Sequence, residues 1–419
     1  MEQFFVVGGK PLNGEVEIFG AKNSLLPIIA SSILVDDEVC IENAVPYSDV
    51  LAMCKIIEGL GGKAKWQGQR LILDCRNLSA DTVSHEVASV VRSSIFTLGP
   101  ILARMKSAKV AYPGGCDIGL RPIDLHLGGL RTLGAKVVEK NGYIYAGVLN
   151  KNGGDVTLSF PSVGATENLM MYATSLQGQT RIFNCAQEPE IVDLQNFINA
   201  CGGQVSGAGE SVITITGGKK LHGASHYVIP DRIEAGTYMI AVAMCGGRVV
   251  LKNAIASHND KLIAKLMQTA CKIKVKDDTI EVLADGHPKN LGEVETGVYP
   301  AFPTDLQSQI TALACVSEGY SLIIENLFEA RNKHIGELLK MGADIRMRGG
   351  IAIVKGRDML YGADLVTPDL RGGASLVLAS LRAEGYSTIK NIGLIDRGYY
   401  KIEEKLASLG AEIKRIKEG

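Results

Sequence analysis

Leu133-Gly134-Ala135-Lys136 closes a helix-like segment and opens two short strand-like runs. The same signature recurs at Leu60-Gly61-Gly62-Lys63, Cys201-Gly202-Gly203-Gln204, Thr269-Ala270-Cys271-Lys272, Met341-Gly342-Ala343-Asp344 and Leu409-Gly410-Ala411-Glu412. With the second small residue as marker, at positions 62, 135, 203, 271, 343 and 411, the spacings are 73, 68, 68, 72 and 68 residues. A regular period of this size marks a supersecondary unit copied along the chain. Six copies of about 70 residues account for nearly all of the 419 residues.

The third copy shows the unit most clearly. Asp155 to Phe160 alternates as a strand, and Val163 to Leu176 carries helical apolar spacing. Thr180 to Asn184 is strand-like, and Ile191 to Ala200 is helical again. Gly202-Gly203 supplies a left-handed helix stop, and Gln204 to Ser206 with Val212 to Thr216 closes the unit as a hairpin. A βαβαββ unit of about 70 residues buries little surface alone, so copies must share cores. Three per domain is the natural partition. The expected fold class is therefore α/β, with two pseudo-symmetric domains of three repeats each, helices inside and sheets outside.

Composition narrows the function. The chain is 46% hydrophobic and 21% charged, enough apolar material for packed cores. Lys plus Arg number 44 against 45 Asp plus Glu, a net charge of −1, which gives no footprint for a phosphate backbone, so nucleic acid is not an expected partner. The N-terminal segment has no basic region followed by an apolar core. No apolar run approaches the roughly 20 residues needed to span a bilayer, so a cytoplasmic protein with no membrane insertion is expected. Nine cysteines, none in CxxC spacing, argue against a disulfide frame or a zinc knuckle. Eight stand in aliphatic or strand-like surroundings that suit reduced core residues. Cys116 does not.

The charged residues cluster at two equivalent turns of the repeat. Before the first helix stand Gly20-Ala21-Lys22-Asn23, Ser162-Val163-Gly164-Ala165-Thr166, Pro230-Asp231-Arg232, Pro303-Thr304-Asp305 and Pro368-Asp369-Leu370-Arg371. Before the second stand Gly115-Cys116 through Arg121-Pro122, Glu188-Pro189-Glu190, Glu329-Ala330-Arg331 and Asp396-Arg397-Gly398. Helix N-termini present unpaired N–H groups and a positive dipole end, so several of them facing one cleft would bind a polyanion. Ser and Asp here also read as simple N-caps. Capping does not account for Lys22, Arg121, Arg331, Arg371 and Arg397, since a cation is disfavoured at a helix N-terminus unless an anion sits there too.

Tyr112-Pro113-Gly114-Gly115-Cys116-Asp117-Ile118-Gly119-Leu120-Arg121-Pro122 holds three glycines and two prolines in eleven residues and reads as a surface loop. Arg121 would lower the Cys116 pKa and Asp117 would raise it, so the thiol is either a proton donor or nucleophile, or a structural residue. The loop lacks the Gly-Lys-Ser/Thr ending of a Walker motif.

At this point the sequence resembles the UDP-N-acetylglucosamine enolpyruvyl transferase family over nearly its whole length. The matching stretches, in order, are Gly20 to Ser24, Pro113 to Cys116 with Arg121 to His126, Ser162 to Glu167, Pro230 to Glu234, Phe302 to Asp305, and Asp396 to Tyr399. The resemblance implies two inside-out α/β domains of three repeats, with the chain crossing twice. The first domain then spans 22–229, the second spans 1–21 plus 230–419, and the active site lies in the cleft between them.

It further implies transfer of enolpyruvate from phosphoenolpyruvate to the 3′-hydroxyl of UDP-N-acetylglucosamine with release of phosphate, the first committed step of peptidoglycan synthesis. No metal or organic cofactor is implied. In the family Cys116 is the general acid and the thiol attacked by the epoxide fosfomycin, while Asp305 takes the hydroxyl proton. Lys22, Arg121 and Arg397 hold the phosphoenolpyruvate anion, with Arg92, Arg331 and Arg371 as further cations. Asn23, Ser162, Val163, Asp305 and Leu327, with the stretch Arg121, Pro122, Ile123, Asp124 and Leu125, hold the nucleotide sugar.

The chain departs from the family pattern in places. Phe160-Pro161 precede Ser162 where a lysine is common at the first position, Asn332-Lys333 stand where Phe-Met is frequent, and Gly372-Gly373 replace Ala-Ser. Two other readings compete. Enolpyruvylshikimate phosphate synthase shares the six-unit plan but lacks the Gly-Gly-Cys loop and has Gly-Ser-Lys-Ser where this chain has Gly-Ala-Lys-Asn. A silent paralogue that only binds a nucleotide sugar would need neither the acid nor the base.

Overall fold

The computed structural model describes residues 2–114, 119 and 122–417. Among them are six four-stranded sheets. The third repeat gives the plan. Strand Asp155–Thr157 runs parallel to Gly178–Phe183, which pairs antiparallel with Val212–Gly217, and Val205–Ser206 forms the far edge. Helices Val163–Ala173 and Pro189–Ala200 fill the two connections. The first strand stops at Thr157, short of the expected Phe160, although the Leu158 N–H still reaches the Phe183 carbonyl at 3.0 Å. The second helix starts two residues early because Pro189 suits a first helical position.

Three repeats are not closed by their own sequence. Ser225–Tyr227 supplies the first strand for Glu38–Glu42 of the first repeat, and Leu12–Glu17 does the same for Gly247–Lys252 of the fourth. In the last sheet Glu2–Val7 lies between Tyr386–Lys390 and Glu412–Lys417, antiparallel to both. Without these borrowed strands each sheet would leave a row of backbone groups unpaired.

The chain divides into two compact units. One gathers residues up to Phe19 and those from Pro230 onward; the other gathers residues 20–114 and 122–229. Within each, the first helices of the three repeats form the interior. In the 230–419 unit these are Arg232–Cys245, Gln307–Ala314 and Leu370–Arg382, and nearly every residue of each is buried. Beyond their polar first turns these helices are apolar or small on nearly all sides, as helices buried all round must be. Gly99 of the other unit shows why small residues are used. A Cβ there would lie 2.4 Å from Asn168 Oδ1, the atom that accepts a hydrogen bond from the Gly99 N–H at 2.7 Å.

One device recurs in five repeats. An asparagine directly after the second strand, or two residues after it for Asn326, donates its Nδ2 to the carbonyl of the residue that follows the first strand. The pairs are Asn43 with Val228 at 3.0 Å, Asn184 with Leu158 at 2.8 Å and Asn253 with Ile18 at 2.8 Å, then Asn326 with Thr296 at 3.1 Å and Asn391 with Thr367 at 3.4 Å. Asn43, Asn184, Asn253 and Asn391 have φ between 52° and 60°, the left-handed region that asparagine tolerates best after glycine. The device stitches together the two turns at which the charged residues cluster. The second repeat has Tyr112 at this place.

The described cysteines carry no disulfide. Burial pushes the thiols of Cys54, Cys201 and Cys315 up to about 12, which suits inert core residues. No helix among the described residues is long and apolar enough to cross a membrane.

Candidate active site

In the 230–419 unit the geometry converges on Asp305. It sits in a single helical turn, Thr304–Leu306, and the following helix Gln307–Ala314 has no side-chain cap, so Asp305 is not spent on capping. Its carboxylate is held from two sides. Arg331 Nη2 donates to Oδ1, and Arg371 donates to Oδ2 through Nη2 at 2.7 Å and Nε at 3.2 Å. Both arginines are only 2% exposed, while the Asp305 side chain keeps 28%. Burial works against the Arg371 charge, but Asp305, Tyr399 and Asp231 together outweigh it and hold the guanidinium above its ordinary range.

Further groups fix this arrangement, among them Glu325, Gln307 and His334, which the sequence did not single out. Arg331 Nε donates to the Thr304 carbonyl at 3.2 Å. Glu325 accepts from Thr304 Oγ1 at 2.9 Å and from the backbone N–H groups of Leu327 and Phe328 at 2.8 and 3.0 Å, which sets the loop bearing Leu327 beside the Asp305 turn. His334, fully buried, meets the Arg331 carbonyl through Nδ1 at 3.2 Å. Burial pushes its pKa down to about 4, so it is neutral near pH 7 and donates there. Gln307 Nε2 donates to Asn332 Oδ1 at 2.8 Å.

The caps expected as the plainer alternative are also present. Asp231 accepts from the N–H groups of Ile233 and Glu234 at 2.8 and 3.0 Å, and Asp369 from those of Arg371 and Gly372, both at 3.0 Å. Gly372 is required by packing: a Cβ there would lie 2.8 Å from Pro368 Cγ and 3.1 Å from His334 Cβ. Gly372 therefore lets this helix start sit tightly against the His334 helix, while Gly373 makes room for Thr367 and Ile395. Arg397 is half-buried, and its neighbour Asp396 is engaged by Arg415.

In the 20–229 unit Lys22 opens helix Lys22–Ser31 and is 8% exposed. Its Nζ lies 3.5 Å from Asp49 Oδ2, a partner that side-chain spacing in the sequence did not reveal. The expectation that cations at helix starts require a bound anion is thus corrected in part. For Lys22, Arg331 and Arg371 the protein itself supplies a carboxylate. Asn23 lies half-buried on the same first turn.

Ser162 caps helix Val163–Ala173, accepting from Ala165 N at 3.4 Å. The helix Asp124–Thr132 packs against it: His126 Nδ1 meets Asn168 Nδ2 at 3.0 Å, and a Cβ on Gly164 would lie 3.1 Å from the His126 ring. This brings the first turn of helix Asp124–Thr132, at His126, against the first turn of helix Val163–Ala173, at Gly164. Arg92 opens the turn Arg92–Thr97, at the start of the second repeat's first helix. Cys116 and Arg121 lie outside the described residues.

Residues 6–406 match the family described as EPSP synthase (3-phosphoshikimate 1-carboxyvinyltransferase), so the class is that of the carboxyvinyltransferases. Among solved structures, the enolpyruvyl transferase NikO from Streptomyces tendae superposes with a TM-score of 0.87 at 21% identity, covering 99% of this chain and 98% of that one. EPSP synthase from Acinetobacter baumannii gives 0.77 at 17% identity, covering both chains completely. At those identities the likeness is one of fold. Sequence relatives are nearer. UDP-N-acetylglucosamine 1-carboxyvinyltransferase 2 of Caldanaerobacter subterraneus subsp. tengcongensis is 45% identical over 416 residues, 99% of this chain and 100% of that one. The UDP-N-acetylglucosamine 1-carboxyvinyltransferase of Koribacter versatilis is 44% identical over 422 residues, 100% of this chain and 97% of that one. The chain belongs to the UDP-N-acetylglucosamine 1-carboxyvinyltransferase family, a branch of that class.

Proposed function

We propose that the protein transfers the enolpyruvyl group of phosphoenolpyruvate to the 3′-hydroxyl of UDP-N-acetylglucosamine and releases phosphate. The observation that carries this reading is the end-to-end identity of about 45% to proteins of that name. In the addition step Cys116 gives a proton to the methylene carbon of phosphoenolpyruvate while the sugar oxygen bonds to its central carbon and loses its proton to Asp305. Elimination then removes a proton from the new methyl group, expels phosphate and restores the double bond. Lys22, Arg121 and Arg397, with Arg92, face the substrate's phosphate and carboxylate. Arg331 and Arg371 act chiefly on Asp305, whose orientation they fix from both oxygens. Asn23, Ser162, Val163, Leu327 and the stretch 121–125 receive the nucleotide sugar.

The reaction opens peptidoglycan synthesis and so serves growth, shape and division of the cell, in the cytoplasm where both substrates are made. Phosphate release measured with each substrate alone, with both, and with shikimate 3-phosphate in place of the nucleotide sugar tests the reading. Release is expected only from phosphoenolpyruvate with UDP-N-acetylglucosamine. Equal turnover with shikimate 3-phosphate would overturn it.

A further inference from the structure

Asp305 and Arg331 are carried by two separate turns, Thr304–Leu306 and Arg331–Lys333, each followed by a helix. Their contact is not isolated. Two residues after Asp305, the fully buried Gln307 donates from Nε2 to Oδ1 of Asn332, the residue after Arg331, at 2.8 Å. The two turns are therefore joined by parallel rungs, an ion pair and an amide pair, with Arg331 Nε on the Thr304 carbonyl between them. Gln307 is itself oriented, since Ser308 Oγ donates to its Oε1 at 3.4 Å. An ion pair alone leaves a guanidinium free to slide along a carboxylate, whereas a second rung on neighbouring residues fixes the register of the two turns.

We propose that Asn332 is a positioning residue for the reaction. Through Gln307 it sets the Asp305 turn against the Arg331 turn, so that the carboxylate is presented to the sugar hydroxyl in one orientation. This rests on the reading of Asp305 as the base. Asn332 touches no substrate in this account, so its loss acts on turnover rather than on substrate affinity. Misplacing a reacting group by a fraction of an ångström is enough to slow a step severely.

The test is a double-mutant cycle on kcat with Asn332→Leu, Gln307→Leu and the double variant, beside the exchanged pair Gln307→Asn with Asn332→Gln. Each single variant is expected to lose roughly tenfold in kcat with KM for both substrates within about twofold. The double variant should be no slower than the slower single one, and the exchanged pair should recover most of the loss. Should Asn332→Leu fail to fold, Asn332→Ser is read in the same way. A kcat within twofold of the parent, or losses that multiply in the double variant, would overturn the proposal. Asp305→Asn separates it from its premise: parent-like turnover there overturns the base assignment itself, whereas its collapse beside an unaffected Asn332 variant overturns only the positioning role.

Discussion

Arg415 holds both carboxylate oxygens of Asp396, through Nη2 at 2.7 Å and Nη1 at 3.0 Å, and reaches Glu403 at 2.6 Å and Glu2 at 3.1 Å as well. The adjacent Arg397 is thus not needed to neutralise Asp396. Arg397→Ala is expected to weaken phosphoenolpyruvate binding and leave UDP-N-acetylglucosamine binding nearly intact. Arg415→Ala should do the reverse, losing about 2 kcal/mol of stability with both affinities kept, because it strips hydrogen bonds from carboxylates that are partly buried. Calorimetric titration beside thermal melts of the two variants checks both halves.

Asp305→Asn should lower turnover by on the order of 10². From sequence the variant would be expected to melt like the parent, because asparagine can still cap the helix. The pairing with two buried arginines changes that expectation. Removing the one charge that both share leaves Arg331 and Arg371 buried without it, at about 2 to 3 kcal/mol, the lower range for a broken buried pair because Asp305 is partly exposed. Activity is therefore to be read well below the lowered melting temperature. A variant as stable as the parent would show that the clamp contributes nothing to folding.

Glu167 is 1% exposed, and neither of its carboxylate oxygens has a hydrogen-bond partner among the described residues. Burial first, then the charges of Glu190 and Glu188, holds its pKa well above the model-compound 4.5. The folded state therefore binds this proton more tightly than the unfolded chain. Its contribution is complete below about pH 4.5 and fades as pH rises toward the folded value. Glu167→Gln, which mimics the protonated form, should raise the melting temperature at pH 8 and have little effect near pH 4. A gain of equal size at both would remove proton linkage from the account.

Asn43 combines a left-handed backbone, φ 58°, with a buried hydrogen bond to Val228. Asn43→Ala loses the bond and strains the turn, at about 2 to 3 kcal/mol together, whereas Asn43→Gly loses only the bond, at about 1 kcal/mol. Chemical denaturation should rank the glycine variant above the alanine one. The reverse order would mean that the turn imposes no backbone constraint.

Cys116→Ser should lose most turnover, because a hydroxyl is far harder to deprotonate than a thiol of pKa about 8.5, while Cys116→Asp should keep some as a proton donor. Fosfomycin should inactivate the parent and spare the aspartate variant. Burial keeps the thiols of Cys54, Cys201 and Cys315 protonated at neutral pH, so they should compete poorly. Mass-spectrometric labelling mainly at another cysteine would sink this role.

The six-fold plan was legible because the glycine and alanine helix stops repeat at a nearly constant spacing, a local signal. Residues 162–167 were legible for the same reason, as an N-cap followed by helical spacing. The borrowed strands were not, since Glu2–Val7 pairs with segments about four hundred residues away and nothing local specifies that. The Asp305 clamp was hidden likewise. Its arginines stand 26 and 66 residues further on, and their helix-start positions suggested an anionic ligand before they suggested a carboxylate of the protein. The asparagines after the second strands were in plain view, yet a lone asparagine says little until the same bond is seen five times.

Glu2–Val7 is made well before its two neighbours in the sheet, Tyr386–Lys390 and Glu412–Lys417, which follow it by about four hundred residues. The segment must wait, unpaired, through the synthesis of almost the entire chain. Residues 20–229 have every strand of their own sheets once Tyr227 has emerged and can fold during translation, but the other unit can close its last sheet only once Lys417 has emerged as well. Its assembly is therefore the later of the two, and a chain not yet extended to Tyr386 displays Glu2–Val7 with both edges open.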